Sequence, residues 1–451
     1  MQFRGLLAAA AALAVLAIGI YFSNKNEKDK EGKPAADAPP KIVEIPAGDI
    51  KKIEVAKAGE TTSIERGTDG KWAVSSPKPL RADQDSANGV ANTFTSLASD
   101  RLVEEKASEL KSFGLEAPAT TVTVTRKDGK STKLLLGDDT PTQSGVFARI
   151  DGDPRVFVLA NVNKTSIEKS YKDLQDKRLV TFDQEKLSRV ELTVKGQTLE
   201  FGKNAGNEWA IVKPQAGRAD GGNVEELVRK IRDAKMDTSV PAEELVRNTA
   251  AWGASAVVAV AKVTDAAGTQ TLEVRKAKDN NYYVKGSAAE GVFKAATDLG
   301  DGLNKAADDY RQKKLFDFGW SDPSKVEVHD GAKTVSLAKT GDKWMADKKE
   351  MDSTSVQNLI DRLRDLASIK FLDTGFTTPV FDASVTSNEG KRNEKVLISK
   401  AGDKYYARRD NEPAVYEIDK TAFEALQKAA ADVKPPEPPK KEDGKKDEKK
   451  K

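Results

Sequence analysis

One short pattern occurs three times in this 451-residue chain and constrains its fold more than any other feature. The pattern is two strand-like stretches followed by a tryptophan that comes directly after a turn rich in Gly, Asp and Asn. The tryptophans are Trp72, Trp209 and Trp344, which lie 137 and 135 residues apart. A repeat of this length indicates a duplicated domain, because the units of solenoids and propellers are shorter.

Each copy contains stretches with a period of two, which indicate strands, and two stretches with helical periodicity. We therefore expect an α+β fold of three tandem antiparallel-sheet units, each in the order β3-α-β4-α, after an N-terminal transmembrane helix. The predicted segments are an anchor at residues 1–23, a disordered stalk at 24–41, repeat units at 42–180, 181–315 and 316–433, and a disordered charged tail at 434–451.

The N-terminus carries the clearest signal about location. An apolar run from Gly5 to Phe22 follows Arg4, and a run of about 18 residues is at the lower limit for crossing a bilayer. The run ends in bulky residues with no small-residue cleavage site, which favours an uncleaved anchor, although the sequence leaves cleavage open. Because Arg4 favours an inside N-terminus, we expect a single-pass protein of the inner (cytoplasmic) membrane with a periplasmic body.

Composition excludes several classes of function. Lys and Arg total 74 and Asp and Glu total 71, so the chain has no basic excess of the kind that nucleic-acid binding needs. The chain has no cysteine, which excludes disulfides, thiol nucleophiles and zinc–thiolate sites. His329 is the only histidine, so a multi-histidine metal site is impossible. We expect a non-enzymatic protein with no catalytic residues, metal or cofactor, although carboxylate-only hydrolysis stays open.

Some residues have both a structural and a functional interpretation. The repeated tryptophans could form a ligand platform, but each unit needs a core and large aromatic residues dominate core burial, which favours a structural role. Asp151-Gly152-Asp153-Pro154 could suggest a calcium loop but lacks the EF-hand spacing, and these residues also suit a hairpin turn. Aromatic and basic residues occur on a strand that has the same position in each repeat unit. They are either ordinary strand residues or a binding surface for peptide or glycan, for which the candidates are Tyr282, Tyr283, Tyr405, Tyr406 and Arg408.

Five short motifs of the first unit form a recognisable set: Asp69–Trp72, Pro79-Leu80 with Ala82 and Asp83, Phe113-Gly114-Leu115, Arg149 with Asp151–Pro154, and Asp176–Leu179. These motifs resemble a bacterial family known as domain of unknown function 4340. The resemblance covers most of residues 42–432 and is closest in the first unit, whereas the second unit has Gly286-Ser287-Ala288-Ala289-Glu290 in place of the Asp-Gly-Asp-Pro turn. The resemblance implies a membrane-anchored protein that accompanies an ABC exporter of the gliding-motility type, encoded beside a permease and an auxiliary subunit, and it implies no catalytic residues.

Three functional hypotheses follow. The first is a scaffold or accessory subunit of an ABC-type transport complex, anchored in the membrane through residues 5–22, with the permease or the auxiliary subunit as its partner. The second is a cell-envelope protein that binds glycan or peptide through the tyrosine-rich strands. The third is a hydrolase that uses carboxylates. The sequence leaves open the partner, the ligand, the oligomeric state and whether the three units share one role.

Overall fold

In the computed structural model, which describes residues 40–320, 323–410 and 412–437, alternating apolar and polar residues form antiparallel strands. The described chain forms two compact units, one ending at Lys177 and the other beginning at Arg178. From here on, the first unit and the second unit are these two parts of the structure and not the predicted repeat units. The first unit has one hydrophobic core and the second unit has two.

The first unit contains one large sheet and one two-stranded sheet. Its elements are β1 (Lys41–Val43), β2 (Ile50–Lys57), β3 (Glu60–Arg66), β4 (Trp72–Ser76), β5 (Leu80–Arg81), α1 (Gln84–Thr93), β6 (Leu97–Ala98), β7 (Arg101–Glu104), β8 (Thr120–Arg126), β9 (Ser131–Asp139), β10 (Gly145–Ile150), β11 (Val156–Ala160), α2 (Asn161–Ile167) and α3 (Tyr171–Leu174). The large sheet has the order β5-β4-β3-β2-β8-β9-β10-β11-β7, and β1 pairs with β6.

The second unit begins with an eight-stranded sheet, called here the second sheet. Its elements are β12 (Arg189–Val194), β13 (Gln197–Lys203), β14 (Trp209–Lys213), β15 (Gly217–Arg218), α4 (Gly221–Asp233), α5 (Ala242–Gly253), β16 (Ala256–Asp265), β17 (Gly268–Lys276), β18 (Tyr282–Gly286), β19 (Phe293–Ala295) and α6 (Thr297–Leu303). The order is β15-β14-β13-β12-β16-β17-β18-β19.

The second unit ends with a nine-stranded sheet, the third sheet. Its elements are β20 (Lys325–Asp330), β21 (Lys333–Thr340), β22 (Lys343–Ala346), β23 (Lys349–Glu350), α7 (Ser353–Asp365), β24 (Ser368–Leu372), β25 (Pro379–Ser387), β26 (Arg392–Ala401), β27 (Lys404–Arg409), β28 (Val415–Ile418) and α8 (Lys420–Ala431). The order β23-β22-β21-β20-β25-β26-β27-β28-β24 corresponds to that of the first large sheet.

The first long helix of each sheet begins in the same way. The side chains of Asp83, Asp220 and Asp352 accept hydrogen bonds from backbone N–H groups in the first turns of α1, α4 and α7. Such N-caps satisfy donors that have no partner inside the helix. The cap at Asp220 places the start of α4 at Gly221.

The expected α+β class with β3-α-β4-α units is wrong. Strands account for 42% of the structure and helices for 23%, so the protein is mostly β. Each large sheet has eight or nine strands instead of seven. The additional strands are short edge strands such as β5 and β7, which have too few residues to show a period of two in the sequence.

The predicted terminal segments lie mostly outside the described residues. This holds for the expected transmembrane helix at residues 5–22, and in the described ranges no helix is long and apolar enough to cross a membrane. At the end of the predicted stalk, Lys41 already belongs to β1. At the start of the predicted tail, the carbonyl of Lys434 accepts a hydrogen bond of 2.8 Å from Asp352 N.

Candidate functional site

The connector (residues 310–319) joins the second sheet to the third and pairs with both. Near its start, Arg311 forms an antiparallel bridge with Ala219, which follows the edge strand β15. Further on, Lys314 forms an antiparallel bridge with Ala367, which follows α7 of the third sheet. Backbone pairing at both ends therefore fixes the connector against each sheet, and the region around it is called here the junction.

Arg218, on β15, is the central cation of the junction. Its Nη1 donates to both carboxylate oxygens of Asp317 at 2.8 Å, and its Nε lies 2.9 Å from Glu412 Oε1 without the angle of a good hydrogen bond. The side chain is only 17% exposed. Burial lowers the pKa of Arg218, but Asp317 and Glu412 outweigh this effect and raise it above its usual value.

A second arginine, Arg409 on β27, continues the cluster within the third sheet. It donates from Nη1 to Glu394 Oε1 at 3.0 Å and to the carbonyl of Leu315 at 2.5 Å, and its Nε lies 2.8 Å from Glu412 Oε1. The side chain of Glu394 is 3% exposed. Its Oε1 also accepts from the backbone N of Asp317 at 2.7 Å, whereas its buried Oε2 has no hydrogen-bond partner within the described part of the chain.

A third arginine, Arg392 on β26, reaches the second sheet at Glu208. Its Nη2 pairs with the Glu208 carboxylate, and its Nη1 donates to the carbonyl of Asp317 at 3.0 Å. The side-chain amide of Asn204 and then Arg392 lower the pKa of Glu208. Glu208 is therefore ionised at neutral pH and suits an ion pair better than proton donation.

Aromatic residues add a further contact across the junction. The guanidinium of Arg311 lies 4.1 Å from the ring centroid of Phe371, on β24. Phe371 in turn contacts Tyr416 edge-on at 5.7 Å. Cation–π contacts of this kind stabilise by about 0.5–2 kcal/mol, depending on desolvation, so they reinforce the ion pairs.

A cleft of about 720 Å³ opens beside these ion pairs. It lies between the β13–β14 turn and β15 of the second sheet on one side and the connector and β26 on the other. Polar groups that line it include Asn204, Asn207, Glu208, Gln312, Lys314 and Arg392. Cations and carboxylates are nearly balanced in this lining, so the cleft presents hydrogen-bonding groups without a strong net charge.

The repeated tryptophans are buried in the three cores. Their exposed fractions are 3% for Trp72, 8% for Trp209 and 6% for Trp344. The indole of Trp72 donates to Asn88 Oδ1 at 2.9 Å, and that of Trp209 donates to Glu225 Oε1 at 2.5 Å. These bonds fix the tryptophan strand to the long helix of the same sheet, in keeping with a structural role.

The structure separates the candidate binding residues that the sequence suggested. Tyr282, Tyr283 and Tyr405 are buried and offer little area to a ligand. The hydroxyl of Tyr282 donates to Asp301 at 2.5 Å. Tyr406 and Arg408 are partly exposed, so of the five candidates only these two side chains offer area to a ligand.

The remaining candidates have local structural partners. His329 is half-exposed, and its Nδ1 lies 3.0 Å from Asp382 Oδ1. Asp153 forms an ion pair with Arg155 at 2.6 Å, and the carbonyl of Asp153 accepts from Arg149 Nε, which stabilises the hairpin turn. Among the described residues, no group of three or more His, Cys, Asp or Glu side chains could hold a metal ion.

Sequence reasoning missed the junction. The Arg-Ala-Asp triplet occurs at both Arg81–Asp83 and Arg218–Asp220, which was a usable signal for Arg218. Asp317, Glu394 and Glu412 carry no comparable signal, because they are far apart in the chain and meet only after the strands of the third sheet have paired.

The fold and the junction define a mostly β protein of tandem antiparallel sheets. The family described as Domain of unknown function (DUF4340) matches residues 72–216 and again residues 209–389, which together make up more than half of the chain. The chain therefore belongs to this family, as its motifs predicted. The two matches begin at Trp72 and Trp209, two of the three repeated tryptophans. No curated protein matches the chain, and no solved structure does.

Proposed function

We propose that the protein is a non-enzymatic, membrane-attached extracytoplasmic protein that serves as a scaffold or accessory subunit of an ABC-type transport complex. The observation that carries the proposal is the junction, where ion pairs of Arg218 with Asp317 and Glu412, and of Arg392 with Glu208, connect the second sheet to the connector and the third sheet. A scaffold must hold its binding surfaces at fixed separations, and an arginine that bonds two partly buried carboxylates, as Arg218 does, restricts geometry more than an exposed ion pair does.

The location and the partner rest on the sequence. The apolar run at residues 5–22 supports attachment to the inner membrane, and the charged segment that follows supports a stalk between the membrane and an extracytoplasmic body. The resemblance to companions of gliding-motility-type exporters supports a permease or an auxiliary subunit as the partner.

The test is a crosslinked pull-down of the tagged full-length protein from native membranes, with partners identified by mass spectrometry. We expect a permease and an ATPase among the captured proteins. The matched control lacks residues 5–22 and should lose both. If the full-length protein captures neither, or if protease added to intact spheroplasts leaves the body uncut, the proposal fails.

A second candidate function, binding of an envelope polymer, is favoured by the junction cleft. Its polar lining spans the two sheets and does not involve the buried tyrosines. A carboxylate-dependent hydrolase is less well supported, because the low pKa of Glu208 opposes the role of a general acid.

A further inference from the structure

The second sheet lacks the edge strand that closes the other two large sheets. In the first large sheet β7 pairs antiparallel with β11, and in the third sheet β24 pairs antiparallel with β28. By strand order β19 is the counterpart of β11 and β28, yet among the described residues β19 pairs only with β18. The outer edge of β19 is therefore unpaired at a position where both other sheets carry a strand.

The chain between α4 and α5, residues 234–241, takes a different course from its counterpart in the third sheet. There the chain leaves α7 and continues directly as β24. In the second sheet, Asp237 Oδ1 accepts from the backbone N and the hydroxyl of Ser239 at 2.8 and 2.6 Å. Such local side-chain bonds compete with a strand ladder, and Pro241 follows directly as the first cap position of α5. The segment therefore turns away into a helix instead of pairing with β19.

Two cavities of about 290 Å³ each lie along this open edge. Both are lined by Lys294 of β19. The first is also lined by Ala234 and Lys235, and the second by Asp237 and Val240, so residues 234–241 run beside β19 without filling the space between them. The missing strand would be four or five residues long, which are the lengths of β7 and β24.

The register of the two sheets predicts the charge that this strand should carry. Tyr283 lies opposite Lys294, and its counterpart Tyr406 lies opposite Glu417. Lys294 is thus the counterpart of Glu417, which lies opposite Lys370 of the edge strand β24. Because opposite charges stabilise cross-strand pairs, the residue opposite Lys294 should be acidic.

Lys294 has room for such a partner. Its Nζ lies 2.9 Å from the Glu244 carboxylate, but the side chain is still 55% exposed. The cavity on the α4 side is lined by four basic and two acidic side chains. The edge therefore favours an acidic segment over a basic one.

A side-chain amide already bonds one backbone group of this edge. Asn248, on α5, is 3% exposed, and its Nδ2 donates to the carbonyl of Val292 at 3.4 Å. In the same register, the counterpart of Val292 is Val415, which pairs with Leu372 of the edge strand. The amide thus bonds a carbonyl at a place where the third sheet has a strand. Backbone groups two residues apart point to the same side of a strand, so those of Lys294 also face the open edge.

We propose that the open edge of β19 binds an extended segment of another protein, four or five residues long, which adds antiparallel to the second sheet with an acidic residue opposite Lys294. Main-chain hydrogen bonds supply the affinity and the charge pair supplies specificity. A second copy that offered β24 would place Lys370 opposite Lys294, which disfavours self-association. The site does not depend on the identity of the transport partner, so it can fail while the proposed function holds.

The test titrates the full-length protein, in a zwitterionic detergent, into fluorescein-labelled peptides and follows their anisotropy. The first peptide, Gly-Ser-Ile-Glu-Phe-Leu-Gly, contains the sequence of β24 with glutamate in place of Lys370, and the second keeps the lysine. We expect saturable binding of the first peptide. The second should bind about threefold more weakly or worse, since like charges that lie opposite each other destabilise a strand pair.

The controls separate backbone pairing from charge. Lys294→Ala removes the charge and keeps the strand, so it should bind both peptides equally. N-methylation of the glutamate amide of the first peptide should abolish binding, because this amide faces β19, whereas N-methylation of the phenylalanine amide, which faces away, should not. Sedimentation of the protein without peptide tests a second copy as the occupant.

Four results would overturn the proposal. They are binding of neither peptide, no preference of wild type for the first peptide, no effect of methylation at the glutamate, and a dimer of the protein that the first peptide dissociates.

Discussion

Two tyrosines are buried in the core of the second sheet, and the hydroxyl group of only one of them has a hydrogen-bond partner among the described residues. Tyr310 packs against Phe201 at a ring distance of 5.2 Å, and its hydroxyl has no hydrogen-bond partner among the described residues. Burial raises the pKa of Tyr310 above its usual value. Tyr282, in contrast, donates to Asp301. The two residues therefore respond in opposite ways to loss of the hydroxyl.

Tyr310→Phe should stabilise the protein by about 1 kcal/mol, because it removes a buried polar group without a partner. Tyr282→Phe should destabilise it by about 1–2 kcal/mol, because it removes a hydrogen bond to a carboxylate. Urea unfolding of the two variants measures both effects. A loss of stability in Tyr310→Phe would show that the hydroxyl has a partner, such as a buried water.

Glu208 gives the junction a dependence on pH. Because its pKa in the folded protein lies below the usual value of 4.5, its ionised form stabilises the fold fully above that pH. The contribution is lost as the pH falls through the lower folded-state pKa. Wild type should therefore exceed Glu208→Gln in stability at pH 6, and the difference should shrink below pH 4.5.

Unfolding midpoints of the two proteins between pH 6 and pH 2 test this expectation. Lys343→Met serves as the control, because it breaks an exposed ion pair with Glu350, and such pairs contribute about 0–1 kcal/mol. A difference between wild type and Glu208→Gln that grows as the pH falls would contradict the direction of the pKa change.

At the scale of elements, the second sheet departs from the third at one strand position. Gly286 ends β18 at the place where Arg409 ends β27, since each residue comes four positions after the first tyrosine of a Tyr-Tyr pair. In the second sheet, the carbonyl of Leu179 accepts from Ala288 N at 3.0 Å. In the third sheet, Arg409 donates to the carbonyl of Leu315 instead. The glycine thus permits close backbone contact where the arginine bridges a gap.

Gly286→Ala should destabilise the second unit by about 1–3 kcal/mol, because its added methyl group overpacks a closed site. A Cβ at this position would lie 2.0 Å from the carbonyl oxygen of Leu179. Gly217→Ala is the matched control, since a Cβ there has no neighbour within 4 Å. Chemical unfolding measures both variants, and equal stability would mean that the segment around Leu179 moves freely.

The sequence predicted the elements better than the class of fold or the site. Strands such as β12 were visible because Val190, Leu192 and Val194 alternate with polar residues. Short edge strands such as β15 were not visible, because two residues show no period. The cleft could not be predicted, because it depends on how the β13–β14 turn and β26, which are distant in sequence, come together.

At the scale of the whole molecule, the junction should make the second and third sheets unfold together. Arg218→Met should destabilise the second unit by about 3–5 kcal/mol, because it leaves Asp317 as a partly buried charge without its main partner and removes one of the two arginines that pair with Glu412. Hydrogen exchange of the full-length protein measures the effect. In wild type, the amides of β12 and β20 should exchange with the same opening free energy.

In Arg218→Met, protection of β12 and β20 should become unequal, because each sheet keeps its own hydrophobic core. Arg218→Lys, which keeps the charge but not the planar guanidinium that reaches both Asp317 and Glu412, should have an intermediate effect. If β12 and β20 still exchanged with the same opening free energy in Arg218→Met, the aromatic contacts at Phe371 would be sufficient to join the sheets.

The strand orders have a mechanical consequence. In the second and third sheets the chain enters through β12 and β20, and each of these strands lies inside its sheet, paired on both sides. Tension applied along the chain would therefore load an interior strand in shear, where many backbone hydrogen bonds must break together. A chain held at one end and pulled at the other would thus resist extension sheet by sheet, as a spacer under load must do.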